Sequence, residues 1–166
     1  MYKIGDLVVY GNNGVCRVDD VTKRPFLGEM RDYYVLKPLY DDCIVYTPFD
    51  TKVFMRPVIT KKRAEELIDE IPQMNAEAYH NPSAQQLAEH YETAINSHKC
   101  GDIIELIMSI YLKKKGAAEA GKKFGIIDER FMKQAEEMLY GEFAVALGIE
   151  KNDVQAYISK RIEEQG

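Results

Sequence analysis

The hydrophobic period changes once along this chain, near residue 60, and that change limits the possible fold more than any other feature. Up to about Ile59 the β-branched and aromatic residues come in short runs broken by turn formers, with no sustained helical period. Leu7 to Tyr10 reads as a strand and Gly11-Asn12-Asn13-Gly14 as a turn, since Gly and Asn tolerate positive φ. A second strand is predicted from Val15 to about Lys23, a hairpin loop from Pro25 to Gly28, and a return from Met30 to Leu39. Asp41-Asp42 then turns the chain into Cys43 to Thr47, and Val53 to Met55 makes a fifth strand. Strands this short and this few suit a small antiparallel barrel that closes on itself and so removes its own edges.

Beyond Thr60 the period is helical. Ala64, Leu67, Ile68 and Ile71 form one apolar stripe, which Pro72 ends. Ser83 with Gln86 predicts a capping box, followed by Leu87, Tyr91, Ala94 and Ile95 on one face, with Gly101 as the stop. Asp102 and Glu105 open the next helix, whose stripe is Ile103, Leu106, Ile107 and Ile110 and whose end is Lys113-Lys114-Lys115-Gly116. A long helix from about Asp128 to Leu147 follows, closed by Gly148, and a last one is capped by Asn152 or Asp153. The fold class is therefore α+β in two domains, a β-barrel over residues 1–59 and an all-α helical bundle over residues 60–166.

Composition removes several function classes. The chain has 166 residues and a net charge of −5, so no global basic character announces nucleic acid. Three widely spaced cysteines, Cys16, Cys43 and Cys100, give no disulfide framework and suit a reducing, cytoplasmic setting. No apolar run approaches the ~20 residues of a membrane span. His90, His98 and Cys100 lack the fourth ligand that a structural zinc site needs, and no acid–base pair or phosphate-cradling glycine loop is present. The expectation is a protein without catalytic residues, metal or cofactor.

Five segments in order carry a family likeness: Gly5 to Val18 (GDLVVYGNNGVCRV), Tyr33 to Tyr40 (YYVLKPLY), Ile44 to Pro48 (IVYTP), Arg56 to Ile59 (RPVI) and Asp128 to Gly148 (DERFMKQAEEMLYGEFAVALG). With them the chain resembles the CarD/CdnL family of bacterial transcription regulators. The resemblance implies a Tudor-like N-terminal barrel, similar to the polymerase-binding module of the transcription-repair coupling factor, that docks on the β subunit of RNA polymerase. It also implies a helical domain that contacts promoter DNA at the upstream edge of the melted bubble and alters open-complex stability, in a monomeric protein.

On that resemblance, Arg24 and Phe26 at the second hairpin match positions that touch the polymerase, and an arginine beside an exposed aromatic is a typical interface anchor. Tyr46 stands where many relatives have an arginine, which implies a different pairing with the partner. Residues 1–56 hold eight basic and eight acidic residues, the remainder fourteen and nineteen. Within that acidic half, Lys113, Lys114, Lys115, Lys122, Lys123, Arg130 and Lys133 face only Glu119, Asp128 and Glu129 between residues 111 and 133. Such a patch can follow a phosphate backbone without reading bases. Relatives also carry a tryptophan that wedges into the minor groove, and this chain has none. Leu87 falls near that place, with Tyr91 one turn on; Leu87 is either an apolar wedge or, by its spacing to Tyr91 and Ile95, a core residue. Two other readings stay open: a polymerase-binding adaptor whose acidic helices recruit a protein, and a Tudor-type peptide reader using Tyr33, Tyr34 and Tyr46.

Overall fold

A computed structural model describes all of residues 1–166, and the chain divides into two compact units, Met1–Ile59 and Thr60–Gly166. The first is an antiparallel sheet of five strands: β1 (Leu7–Tyr10), β2 (Val15–Phe26), β3 (Glu29–Pro38), β4 (Val45–Pro48) and β5 (Met55–Pro57). Pairing runs β4-β3-β2-β1-β5. No ladder joins β4 to β5, so the expected closure by pairing is not made. The fourth and fifth strands also start two residues later than the sequence pattern suggests, because pairing with β3 and β1, rather than local propensity, sets their ends.

One face of the sheet buries Val8, Tyr10, Cys16, Val18, Tyr34 and Leu36, with Tyr2, Val45, Phe49 and Met55 packed around them. The polar tips inside this core are satisfied: the Tyr10 hydroxyl lies 3.0 Å from Thr47 Oγ1, and the Tyr2 N–H donates to the Tyr34 hydroxyl at 3.1 Å. Tyr34 stacks on Phe49 with ring centres 4.2 Å apart. Burial, with Cys43 nearby, pushes the Cys16 thiol up to about 11, so it stays an uncharged packing group.

The β2–β3 ladder contains one irregularity. Val18 pairs with Leu36 but Asp20 pairs with Val35, so Asp19 is an extra residue on β2. Such a bulge inverts the alternation of side chains beyond it. Cys16 and Val18 face the core before it, Val21 faces the same side after it, and Thr22, Arg24 and Phe26 are turned to the outer face.

The second unit has five helices: α1 (Lys61–Glu70), α2 (Ala84–Asn96), α3 (Cys100–Glu119), α4 (Ile126–Leu147) and α5 (Val154–Gln165). Thr60 Oγ1 and Ser83 Oγ accept the N–H groups of Arg63 and Gln86, capping α1 and α2. The reciprocal half of the predicted capping box is replaced: Asn81 Oδ1 accepts the Ser83 N–H, and the Gln86 amide bonds Asn81 instead. Gly101 does not stop α2, which ends at Asn96; it lies in the first turn of α3. Nor does Gly116 end α3, which runs on to Glu119 and places Lys113–Lys115 inside the helix. Neither Asn152 nor Asp153 caps α5 with its side chain. Gly148 does close α4, in the left-handed conformation with φ 69°, and the Ile149 N–H returns to the Ala144 carbonyl.

Leu87, Tyr91, Ile95, Ile103, Leu106, Ile110, Phe131, Ala135, Leu139 and Phe143 form the buried centre of this unit. Arg161 of α5 holds Asp69 of α1 through two N–H donors at 2.7 and 3.0 Å and reaches Glu65 at 2.6 Å. This guanidinium draws the Asp69 carboxyl below the usual carboxylate range.

Two outcomes follow from this packing. The stabilisation that ionised Asp69 provides is complete above its unfolded value of about 3.9 and disappears as pH falls through the lower folded value. Asp69→Asn should therefore melt below the wild type by a constant margin between pH 7 and 5, and the margin should shrink below about pH 4 in thermal melts at each pH. Leu87 is 7% exposed, so Leu87→Trp should overpack the helices and lower stability by about 1 to 3 kcal/mol in denaturant titrations.

Candidate functional site

The outer face of the β2–β3 hairpin is assembled by the bulge and by the turn. The turn is Leu27-Gly28, with φ of 51° and 83°. Both residues are left-handed, the backbone that two-residue hairpins need for their strand twist. The tip thus lies beyond Arg24 and Phe26, which are strand residues of β2 and not the loop residues that the sequence suggests. Leucine at such a position is strained, and this one is 87% exposed. Phe26 is also exposed on this face, and Met30 and Val21 are exposed on the opposite one.

Arg24 and Arg31 stand directly opposite each other across β2 and β3. The Arg24 guanidinium lies over the Tyr46 ring at 4.0 Å, and that of Arg31 over the Phe26 ring at 4.8 Å. Arg24, Phe26 and Tyr46, named from the sequence, are therefore brought to one surface. Leu27 at the turn and Arg31 join them and were missed; the Leu27-Gly28 dipeptide, midway between alternating runs, was the available signal. Tyr34 belongs to the core at 4% exposure, so Tyr33, Tyr34 and Tyr46 do not form one aromatic surface. Tyr46 and Tyr33 share the outer face, and Tyr34 points the other way.

In the helical unit the named residues separate into two groups. Leu87 is in the core and Tyr91 is fully buried, so neither side chain is presented to a base step. The Tyr91 hydroxyl donates to Asp128 Oδ1 at 2.6 Å, and burial followed by that bond raises its titration far above the ordinary tyrosine range. Lys113 is also withdrawn: its ammonium donates to the same Asp128 oxygen at 2.8 Å, and the side chains are 10% and 8% exposed. The charge of Lys113 is therefore spent on the buried Asp128 and is removed from the basic patch.

Lys114, Lys115, Lys122, Lys123, Arg130 and Lys133 are all at least partly exposed. Lys114 lies 5.7 Å from the centre of the Phe124 ring and Arg130 4.8 Å from that of Phe131. Lys122, Lys123 and His80 line an open cavity of about 520 Å³ whose other walls include Phe124, Gly125 and the Lys113–Asp128 pair. Acidic side chains do enter this region: Glu136, whose carboxyl burial raises, is near enough to Lys114 for the ammonium to pull it partly back.

His90 stacks on Tyr79 with ring centres 3.6 Å apart, and Cys100 Sγ lies 3.2 Å from Glu142 Oε1, so His90, His98 and Cys100 do not converge. No three metal-ligating side chains come together, and no helix is long and apolar enough to cross a membrane.

The sheet unit as a whole corresponds to a recognised domain. Residues 2–59 match the family model of the CarD-like/TRCF RID domain, a non-catalytic module that interacts with RNA polymerase. The match ends where the sheet unit ends and covers every strand of it. With its five-stranded sheet and its exposed arginine-bearing hairpin, the N-terminal unit of this chain belongs to the CarD-like/TRCF RNA-polymerase-interacting domain family.

Proposed function

We propose that this protein regulates transcription by docking its sheet unit on the β subunit of RNA polymerase and laying the basic part of its helical unit against promoter DNA, at the upstream edge of the bubble. The observation that carries the reading is the coincidence of an RNA-polymerase-interacting domain with a hairpin face on which Arg24 and Tyr46 stack beside exposed Phe26 and Leu27. An arginine fixed on an aromatic with apolar neighbours has the composition of an interface hot spot.

For DNA, support comes from Lys114, Lys115, Lys122, Lys123, Arg130 and Lys133, whose accessible cations suit phosphate and carry little base information. Affinity for free DNA is weak in this reading, because the helical unit is acidic outside the patch. The protein acts as a monomer, held near the promoter by the polymerase. Stabilisation of the open complex then comes from phosphate neutralisation and not from an inserted side chain, since Leu87 and Tyr91 are core residues. The adaptor alternative, in which the helices recruit another protein, draws on that same burial and on the net negative charge.

Arg24→Glu should weaken binding to a β-subunit fragment by about 2 kcal/mol, roughly 30-fold, with the melting temperature unchanged. Undiminished affinity in a titration would remove this docking face. Replacing Lys114, Lys122 and Arg130 by alanine should shorten open-complex lifetime on a promoter and reduce its salt slope by about one for each phosphate no longer neutralised. Equal lifetimes across a salt series would favour the adaptor.

A further inference from the structure

Arg24 and Arg31 form an arrangement that an isolated sheet disfavours. They are directly opposed on one face of β2 and β3, where like charges repel. The carboxylates close in sequence do not relieve them. Glu29 is paired with Phe26 on the same face and forms no ion pair with either arginine. Asp32 points to the other face, where its oxygen lies 4.0 Å from the Lys23 ammonium. No N–H donor of Arg24 or Arg31 is engaged in a hydrogen bond within the chain.

What holds each guanidinium is a ring, Tyr46 under Arg24 and Phe26 under Arg31. Stacking through the flat face leaves the edge donors of a guanidinium available, and edge donors are what engage a carboxylate through two parallel bonds. Two such forks on opposed strand positions, each braced by an aromatic and each without an acidic partner, make a surface preset for two negative groups. The apolar neighbours Phe26 and Leu27, 44% and 87% exposed, suit a protein surface better than a phosphate backbone.

We infer that Arg24 and Arg31 act as one two-guanidinium site that receives a pair of carboxylates on RNA polymerase, with Arg31 supplying the second cation. The inference rests on the polymerase-docking reading and adds to it a specificity-determining residue and the chemistry of the partner surface. The internal repulsion is released when the acidic pair arrives, so binding and the stability of the free protein pull in opposite directions at Arg31.

The test uses the full-length chain, purified polymerase, and the variants Arg31→Thr, Arg31→Lys, Arg24→Thr and the double Arg24→Thr/Arg31→Thr, with Kd measured across a salt series and a thermal melt of each variant. Arg31→Thr should weaken binding about tenfold while its Tm stays at or above the wild-type value. Arg31→Lys should recover only part of the loss, since an ammonium cannot replace the fork. The double variant should lose less than the product of the two single losses, because both residues address one acidic pair. Wild-type affinity in Arg31→Thr alongside a loss in Arg24→Thr would overturn the inference and leave polymerase docking standing. Weakened binding with a lowered Tm in both Arg31 variants would make Arg31 a prop for Phe26 and overturn it too. Competition by duplex DNA for the hairpin would replace the acidic pair with phosphate. Failure of the wild type to bind polymerase at all would instead take down the docking reading on which the inference stands.

Discussion

The extra residue at Asp19 decides what the first unit offers to a partner. Hydrogen-bond pairing continues on both sides of it, but the phase of the side chains changes there. Without it, Arg24 and Phe26 would stand on the side that Val18 and Cys16 occupy, facing away from Tyr46. With it, they meet Arg31 and Tyr46 on the open face. The bulge is also stabilised locally: Asp19 holds Arg17 at 2.6 Å, and the Asp20 carboxylate accepts the Val21 N–H at 2.8 Å. The geometry of the arginine face is thus a property of two acidic residues that never touch it.

The helical unit depends on a polar knot. Tyr91, Lys113 and Asp128 come from α2, α3 and α4, and one carboxylate oxygen receives both donors. A buried charge is tolerated only when paired and hydrogen-bonded, so these three residues fix how the three helices sit against one another. Their use in the interior explains why the surface charge is smaller than a count of lysines suggests. The accessible cations that remain line the end of α3, the following loop and the start of α4.

Element types were legible because period follows directly from secondary structure: the switch near residue 60, the Ser83 and Thr60 caps, and the Gly148 stop are local signals with local causes. Ends that depend on tertiary pairing were not, as Gly101 shows: a glycine reads as a stop, yet here it fits a first helical turn where its neighbours Cys100, Ile103 and Ile104 are buried. Of the candidate site, the Arg24, Phe26 and Tyr46 surface was visible through family likeness, while Arg31 was missed because its place opposite Arg24 depends on the position of the Leu27-Gly28 turn. The bulge itself left a trace in the three-residue spacing from Val18 to Val21, where strict alternation requires two. Lys113 was misread because a run of three lysines looks uniform in one dimension, and only the fold sets the first beside Asp128.

The hairpin extends past its neighbours. β1 pairs with β2 only as far as Arg17 and β4 pairs with β3 only from Tyr33 on, so between Lys23 and Arg31 the sheet is a ribbon of two strands. Two strands alone are marginal in water, and their amides open at far lower free energy than those of the core. Warming or mild denaturant therefore melts the arginine face while Val8, Cys16, Val18 and Leu36 remain packed. The arginine face thus opens with the fraying of its ribbon and not only with global unfolding, and a stabilised core does not by itself keep it formed.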